Sequence, residues 1–247
     1  MSPPSKSTLG LLADVVSMSW VDGPGNRFVV FTQGCTFDCI ACHNPSTIAR
    51  CAPSSAPRRA TVRELLAELK QVAPFLSGVT VSGGECTLQP KLLRALLWWI
   101  KADPALSHLT TLVDTNGDAP TTTWDSLRRV MDGAAVDLKA LDPAVHRVLT
   151  GHGNERVLAS LRHLRAIDRL HEVRLLLVPG FNDDAGQLDA TGRWLHDLDP
   201  DVQVRLIGFR PHGVRPAFRS LPASTADELA AGAEVLAGAG LRSVTVG

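Results

Sequence analysis

The sequence predicts an α/β fold, namely a partial (β/α)6 barrel of the TIM type that is open on one side and forms a single domain. Short apolar runs rich in β-branched residues alternate with segments of helical periodicity, which is typical of parallel β/α architecture. The polar and glycine-rich stretches follow these runs, and the carboxyl ends of barrel strands are where ligands bind. Six runs are strong and one is weaker, so a complete eight-stranded barrel is not predicted.

Apolar runs predict the strands, and three local signals predict helices between them. The runs cover residues 27–31, 78–81, 108–113, 134–138, 172–178, 202–209 and 242–246. Thr61 and Glu64 have the form of a capping box before an apolar stripe at helical spacing. Pro90 suits the first position of a second helix, and Asn154 suits the N-cap of a third.

The composition is that of an ordinary globular chain and argues against several classes of function. The 247 residues are 45% hydrophobic and carry 25 basic and 25 acidic side chains, so neither nucleic acid nor a membrane is expected as a partner. We expect residues 1–20 to form an N-terminal tail and lead-in, and residues 21–247 to form one core domain. The chain lacks a signal-peptide pattern and a run long enough to span a bilayer, so we expect it in the cytoplasm.

Three of the five cysteines lie within eight residues, in the stretch GCTFDCIACHNP. In a reducing compartment such a cluster indicates metal binding or catalysis rather than disulfides. Cys35, Cys39 and Cys42 would supply three ligands of a zinc site, with Cys51 or His43 as the fourth. A [4Fe–4S] cluster held by three thiolates would instead leave one iron open for a substrate, and the spacing favours this cluster over zinc.

The motif SGGE follows the second predicted strand and offers groups that a ligand could contact. Gly83 and Gly84 leave the backbone uncovered, while Ser82 and Glu85 add polar groups able to meet an ammonium. The alternative interpretation is a plain tight turn between a strand and a helix.

Two further strand ends, in DTNG and DLK, carry carboxylates. The period of two in a strand directs Asp137 and Lys139 to the same side, toward the mouth of the barrel. Asp114, Thr115 and Asp137 could together hold a monovalent or divalent cation through oxygen ligands. Alternatively, Asp114 and Asp137 pair with Lys139 or with an arginine.

Taken together, these motifs resemble those of a known family. CTFDCIAC has the CxxxCxxC form of the radical S-adenosylmethionine superfamily, and its surroundings resemble the glycyl-radical-enzyme activases within that superfamily. The resemblance runs in order from about Val21 to about Phe218. The stretches that carry it are VDGPGNRFVVFTQGC, CHNP, VSGGE, VDTNG, VDLK, HRVLTG, LLLVPGFND and RPHG.

The resemblance implies one [4Fe–4S] cluster whose open iron binds the amino and carboxylate groups of S-adenosylmethionine. Reductive cleavage, with an electron from a low-potential reductant such as flavodoxin or ferredoxin, would give a 5′-deoxyadenosyl radical that installs a glycyl radical on a partner protein. Lys139 is implied to lie near the cofactor ribose or carboxylate, and Asp114, Thr115 and Asp137 near a cation. His212 could equally be an ordinary surface histidine. The implied cofactor-binding residues are Ala41, His43, Ser82, Gly83, Gly84, Glu85, Asp137, Lys139 and His212.

Three departures from the resembled pattern limit what it implies. Ala41 stands where the superfamily often has an aromatic residue, so the adenine would pack elsewhere. Cys86 directly follows SGGE and is expected to be an inert small side chain. Only 18 residues, with Cys51 as their one cysteine, separate Cys42 from Thr61, so the chain resembles a short form without a ferredoxin-like insert.

The alternative function is a radical S-adenosylmethionine enzyme acting on a small metabolite, as in the short carboxy-deazaguanine synthases.

Overall fold

The computed structural model describes residues 3–49 and 57–247, which form two compact units. The first unit comprises the chain up to Thr36 together with Ser46–Thr115 and Ala119–Ala134. The second unit comprises Phe37–Pro45, Asn116–Asp118 and Ala135–Gly247. Cys51, the alternative fourth metal ligand, lies outside the described residues.

The first unit is built on parallel strands extended by an antiparallel edge. Its strands are β1 (Leu9–Ser19), β2 (Arg27–Thr32), β3 (Arg58–Thr61), β4 (Gly78–Gly83) and β5 (Thr110–Thr115), paired in the order β3-β1-β2-β4-β5. β1 is antiparallel to β2 and β3, whereas β2, β4 and β5 are parallel. Thr32 pairs with Gly83, and Val81 pairs with Val113. The carboxyl ends of the three parallel strands therefore meet at one edge of the sheet.

Among the described residues, the first unit has three α-helices, of which the first two begin where the sequence predicts them. They are α1 (Val62–Val72), α2 (Pro90–Ala102) and α3 (Thr121–Leu127). The predicted capping box is confirmed, because the Thr61 hydroxyl accepts from the Glu64 N–H and the Glu64 carboxylate accepts from the Thr61 N–H. Pro90 occupies the first turn of α2, as predicted. The leucines of both apolar stripes are buried, which gives α1 and α2 their core-facing sides.

The second unit alternates strands and helices. Most of β6 (Gly133–Asp137) belongs to it, followed by β7 (Leu170–Leu177), β8 (Val204–Gly208) and β9 (Val244–Val246), paired in that order. Its helices are α4 (Pro143–Thr150), α5 (Glu155–Ala166), α6 (Ala185–Leu198) and α7 (Ala226–Gly238). β7, β8 and β9 are parallel, as the alternating pattern predicts. In the described part of the chain, no helix combines the length and the apolar character needed to cross a membrane.

All predicted runs form strands, and two further strands are not evident from the sequence. β1 lies within the segment predicted to be a lead-in, and among its residues only Gly10, Leu12 and Ser19 are buried. β3 has four residues, of which only Ala60 is buried. β3 has no apolar run, and in β1 Asp14 interrupts the apolar residues, most of which are not buried, so neither segment shows the uninterrupted run by which a buried strand is recognised. Both form because they pair with strands that are already present in the sheet.

Asn154 occupies the predicted N-cap position of α5 but does not cap the helix. Its side chain makes no hydrogen bond to the first turn. Instead, Nδ2 donates to the carbonyls of Ala140 at 3.1 Å and Leu141 at 2.6 Å. The predicted capping role is wrong, because the loop that follows β6 passes close enough for its carbonyl groups to take both amide hydrogens.

Arg27 is fully buried at the amino end of β2, where it organises the preceding DGPG loop. Nε donates to the Thr80 hydroxyl at 2.6 Å, and Nη1 donates to the Pro24 carbonyl at 3.2 Å and the Thr110 hydroxyl at 3.0 Å. Nη2 donates to the carbonyls of Val79 at 2.7 Å and Thr110 at 3.2 Å. Burial lowers the pKa of Arg27 to about 10, which still leaves the side chain charged at neutral pH. Arg27 thus holds the DGPG loop at the amino ends of the parallel strands.

Replacing Arg27 by lysine should lower the free energy of unfolding by about 3 kcal/mol, because an ammonium has three N–H groups and leaves buried acceptors unpaired. Urea denaturation followed by circular dichroism measures this loss. Arg59→Lys is the matched control, since Arg59 is exposed on β3 and the change should cost less than about 0.5 kcal/mol. Equal unfolding free energies for the two variants would show that the buried hydrogen bonds contribute nothing.

Candidate metal and cofactor site

In the first unit, the chain that follows β2 carries Cys35 and is held by backbone hydrogen bonds. The Gly34 N–H donates to the Thr47 carbonyl at 2.8 Å, and the Cys35 N–H donates to the Ile48 carbonyl at 3.0 Å. The Gln33 side chain donates to two further carbonyls of the segment 46–49. Cys35 is partly exposed and forms no disulfide.

Gly83 and Gly84 let the SGGE turn lie directly against the end of β2. Gly83 has φ +123°, and a Cβ there would lie 2.2 Å from the Thr32 nitrogen. A Cβ on Gly84 would lie 2.3 Å from the Gly34 carbonyl oxygen. The Gly84 N–H donates to the Thr32 carbonyl at 2.9 Å, and the Glu85 N–H donates to the Gly34 carbonyl at 2.7 Å. The close approach of two backbones therefore requires both glycines, whether or not a cofactor is bound.

Glu85 is buried and binds neighbouring protein groups through Oε1. This oxygen accepts from the Thr87 N–H at 2.9 Å, from the Thr87 hydroxyl at 2.6 Å and from the Thr115 hydroxyl at 2.8 Å. The first of these bonds caps the short 3₁₀ helix Cys86–Leu88. The Glu85 carboxylate therefore joins the carboxyl ends of β4 and β5. Its predicted contact with a cofactor ammonium stays a prediction.

The other polar groups at this edge also have partners within the protein. The Ser82 hydroxyl donates to Asp114 Oδ2 at 2.9 Å, and the Cys86 thiol donates to the Asp114 carbonyl at 3.4 Å. Cys86 is completely buried, and burial raises the pKa of its thiol well above the usual range. A buried, protonated thiol agrees with the inert side chain expected at this position.

In the second unit, residues 37–44, here called the cysteine loop, are held on one side by the carboxyl end of α4. The Asp38 N–H donates to the Thr150 carbonyl at 2.9 Å, and the Ile40 N–H donates to the Leu149 carbonyl at 3.0 Å. The buried Phe37 ring contacts two imidazoles, edge-on with His146 at 5.4 Å between centroids and stacked with His152 at 5.6 Å. The HRVLTG motif thus positions the cysteine loop.

The Ala41 side chain points into the protein interior. It belongs to a buried cluster with Ala140, Leu149, Val178, Phe209 and Val214. The residue before the third cysteine therefore anchors the loop, and its predicted contact with the cofactor stays a prediction.

The other side of the loop is held by the segment that follows β8, which contains RPHG. The His43 Nε2–H donates to the Arg210 carbonyl at 3.0 Å. Gly213 has φ +83°, and a Cβ there would lie 2.6 Å from the His43 carbonyl oxygen, so this position requires glycine. Arg215 donates to the carbonyls of Asp38 and Cys39, both at 2.9 Å. His212 is exposed on this segment. Arg215 is not identified by the sequence motif, because it lies two residues beyond RPHG.

Asp137 and Lys139, at the end of β6, form an ion pair at 2.7 Å. This ion pair is the alternative to a bound cation at Asp137. It is consistent with the prediction that the side chains of Asp137 and Lys139 point to the same side of the strand. The backbone at Lys139 is held by Asn182, a residue of the LLLVPGFND stretch to which the sequence assigns no role. Asn182 Nδ2 donates to the carbonyls of Lys139 at 2.8 Å and Leu176 at 2.7 Å, and Asn182 Oδ1 accepts from the Val178 N–H at 2.7 Å.

The thiols of Cys39 and Cys42 lie in surroundings that favour the protonated form in the absence of a metal. Burial raises the pKa of Cys39 to about 11, an effect that the nearby Lys139 ammonium partly offsets. Burial also raises the pKa of Cys42, against the opposing charges of Lys139 and Arg215. Both thiols are free and partly exposed. A bound iron would displace their protons, and three cysteine thiolates are the donor set that an iron–sulfur cluster requires.

The predicted ligands belong to different units of the structure. Cys35 belongs to the first unit, and Cys39 and Cys42 belong to the second. Likewise, Asp114 and Thr115 belong to the first unit and Asp137 to the second. Within either unit, the described residues contain no group of three His, Cys, Asp or Glu side chains able to hold a metal ion. The three-cysteine site and the cation site therefore stay predictions.

Comparison with known proteins identifies the family. The sequence matches the Radical SAM superfamily over residues 29–188, and the chain belongs to this superfamily. The pyruvate formate-lyase-activating enzyme of Staphylococcus epidermidis is 35% identical over 211 residues, which cover 83% of each chain. The enzyme of the same description from Staphylococcus aureus is 34% identical with the same coverage. The predicted class, an oxidoreductase of the activase-like branch, is confirmed.

Solved structures show the fold. A domain of the pyruvate-formate lyase-activating enzyme from Bacteroides vulgatus matches with a TM-score of 0.56, at 22% identity, over 69% of this chain and 99% of that domain. A radical SAM methyltransferase from Sphaerobacter thermophilus matches with a TM-score of 0.68, at 19% identity, over 90% of this chain and 66% of that protein. At these identities the similarity concerns the fold alone, and it confirms the predicted partial barrel class.

Replacing Glu85 by alanine should lower the free energy of unfolding by about 2–4 kcal/mol, because three donors lose their common acceptor in a buried environment. Urea denaturation of the apo protein measures this effect without any cofactor. Glu234→Ala, an exposed change on α7, should leave stability unchanged within about 0.5 kcal/mol. An unfolding free energy of Glu85→Ala equal to that of the parent chain would contradict the structural role and favour a residue that serves only the cofactor.

Proposed function

We propose that this chain cleaves S-adenosylmethionine reductively at one [4Fe–4S] cluster held by Cys35, Cys39 and Cys42, and that the resulting 5′-deoxyadenosyl radical makes a glycyl radical on a partner protein. The observation that carries the proposal is the loop with Cys39 and Cys42, which is held on two sides and lies beside Lys139. The relatives described as pyruvate formate-lyase-activating enzymes support a glycyl-radical protein as the partner.

The residues at the carboxyl ends of the parallel strands, in the first unit and in the second, would bind and orient the cofactor. When bound, the cluster would supply a low-potential electron, which a reductant such as flavodoxin or ferredoxin must first provide. Lys139, held by Asp137 at 2.7 Å, is the ammonium near the cysteines that could meet the cofactor carboxylate or ribose. His43 and His212 lie on the loops that carry CHNP and RPHG, and we propose contacts from both to the cofactor.

The SGGE turn would contribute mainly through its backbone. Glu85 Oε1 is engaged by Thr87 and Thr115, so we propose that Glu85 acts by holding the strand ends that present Gly83 and Gly84. A cation at the corner of Asp114, Thr115 and Asp137 remains part of the proposal. Such an ion would compete with the protein partners of the carboxylates, namely the Ser82 hydroxyl and the Lys139 ammonium.

Anaerobic reconstitution with iron and sulfide should give about four irons per chain, because one three-cysteine set can hold one cluster. Alanine at Cys35, Cys39 or Cys42 should abolish iron binding, whereas Cys86→Ala should retain it, since the Cys86 thiol is buried beside Asp114. Iron and sulfide analysis of the purified proteins provides the measurement. A parent chain with eight irons, or an iron-loaded Cys39→Ala variant, would disprove the single-cluster assignment.

The loaded and reduced enzyme, mixed with S-adenosylmethionine and a pyruvate formate-lyase-type glycyl-radical protein, should produce the doublet electron paramagnetic resonance signal of a glycyl radical on that partner. The cofactor should be consumed in proportion to the radical formed. The matched controls are the Cys39→Ala enzyme and a partner whose radical glycine is replaced by alanine, and neither should give the signal. No doublet with any glycyl-radical protein, together with fast turnover of a small metabolite, would refute the activase assignment and favour the alternative function.

A further inference from the structure

Arg215 contacts the backbone of a predicted cluster ligand. Its Nη2 donates to the carbonyl of Asp38 and to the carbonyl of Cys39, each at 2.9 Å. Its Nη1 donates to the Asp38 carboxylate at 3.1 Å. Arg215 is thus bound to two consecutive residues of the cysteine loop, although it lies 176 positions after Cys39 in the chain.

The geometry requires an arginine rather than any cation. The planar guanidinium offers parallel N–H groups that can contact two carbonyl groups and a carboxylate at once. An ammonium would replace this fork with a single point of contact. The centroid of the Phe218 ring lies 5.9 Å from the guanidinium carbon, a distance that allows a cation–π contact. Only 32% of the Arg215 side chain is exposed, so its conformation is restricted by these contacts.

The charge of Arg215 acts on the same loop. Asp38, which shares the guanidinium, is 61% exposed, so solvent screens its negative charge more strongly than the half-buried positive charge. A cluster with three thiolate ligands changes from a net charge of −1 to −2 when it accepts one electron from a chemical reductant, and no bond is made or broken. A nearby positive charge stabilises the more negative state.

We propose that Arg215 is a positioning residue that fixes the cysteine loop through the carbonyl of the ligand Cys39 and stabilises the reduced state of the cluster by its charge. This inference rests on the proposed function, since it requires a cluster on the three cysteines. It assigns to the segment after β8 a role in tuning the electron transfer, in addition to the cofactor contact proposed for His212.

The test compares Arg215→Gln with Arg210→Gln in the full chain. Arg210 lies on the same segment with an exposed side chain, so its replacement removes the same charge without removing a contact to the loop. Both variants and the parent chain are reconstituted with ferrous iron and sulfide, and the reduced fraction is followed by electron paramagnetic resonance in a potentiometric titration. Arg215→Gln should lower the ratio of reduced to oxidised cluster about tenfold at a fixed potential, a shift of about 59 mV for one electron. Arg210→Gln should change this ratio less than twofold.

Arg215→Lys separates the contact from the charge. It should restore most of the parent midpoint potential, while the loop, held at fewer points, should lose iron to a chelator faster than in the parent chain. If Arg215→Gln loads no iron, Arg215→Lys takes its place in the comparison with the parent chain. A rate of iron loss to the chelator equal to that of the parent chain would overturn the positioning role. An unchanged potential in Arg215→Gln, or an equal shift in Arg210→Gln, would overturn the role of the charge. A parent chain that binds no iron would instead refute the proposed function itself.

Discussion

The position of Cys39 and Cys42 depends on backbone hydrogen bonds from two elements that are distant in sequence. Carbonyl groups at the end of α4 accept from one side of the loop, and Arg215 donates to carbonyl groups on its other side. The loop has no regular secondary structure, so its backbone groups need partners from elsewhere. These contacts offset the conformational entropy lost when the ligand residues are ordered. The positions of Cys39 and Cys42 therefore depend on the contacts of the loop with α4 and Arg215.

The residues between the cysteines explain why the loop can be held in this way. Phe37 packs against two imidazoles, and Ala41 lies in the buried cluster of the second unit. The cysteines beside them remain partly exposed. The spacing of CxxxCxxC therefore serves the packing of the loop, because Phe37 and Ala41 between the cysteines are buried while the cysteines are partly exposed. This division of roles also accounts for the small residue before Cys42.

Buried ionisable groups stabilise both ends of the parallel strands in the first unit. Arg27 satisfies the amino ends with five hydrogen bonds, and Glu85 joins the carboxyl ends of β4 and β5. Burying such groups is costly unless they are hydrogen-bonded, and here threonine hydroxyls bind both, backbone carbonyls accept from Arg27, and the Thr87 N–H donates to Glu85. DGPG and SGGE are therefore structural motifs as well as family signatures. The scaffold they stabilise allows Gly34 and Gly84 to lie in backbone contact next to Cys35.

The sequence by itself determined the apolar strands β2 and β4 to β9, the capping box at Thr61 and the family, because each follows from short-range periodicity or from a motif. It also predicted the three cysteine ligands and the carboxylates at the ends of β5 and β6 as site residues, and these assignments stay predictions. Only the tertiary structure revealed β1, the hydrogen-bonding roles of Glu85 and Asn154, and the contact of Arg215 with Cys39. These features depend on which backbone groups lie opposite a side chain after folding. Local pattern carries no information about partners that are tens to hundreds of residues away.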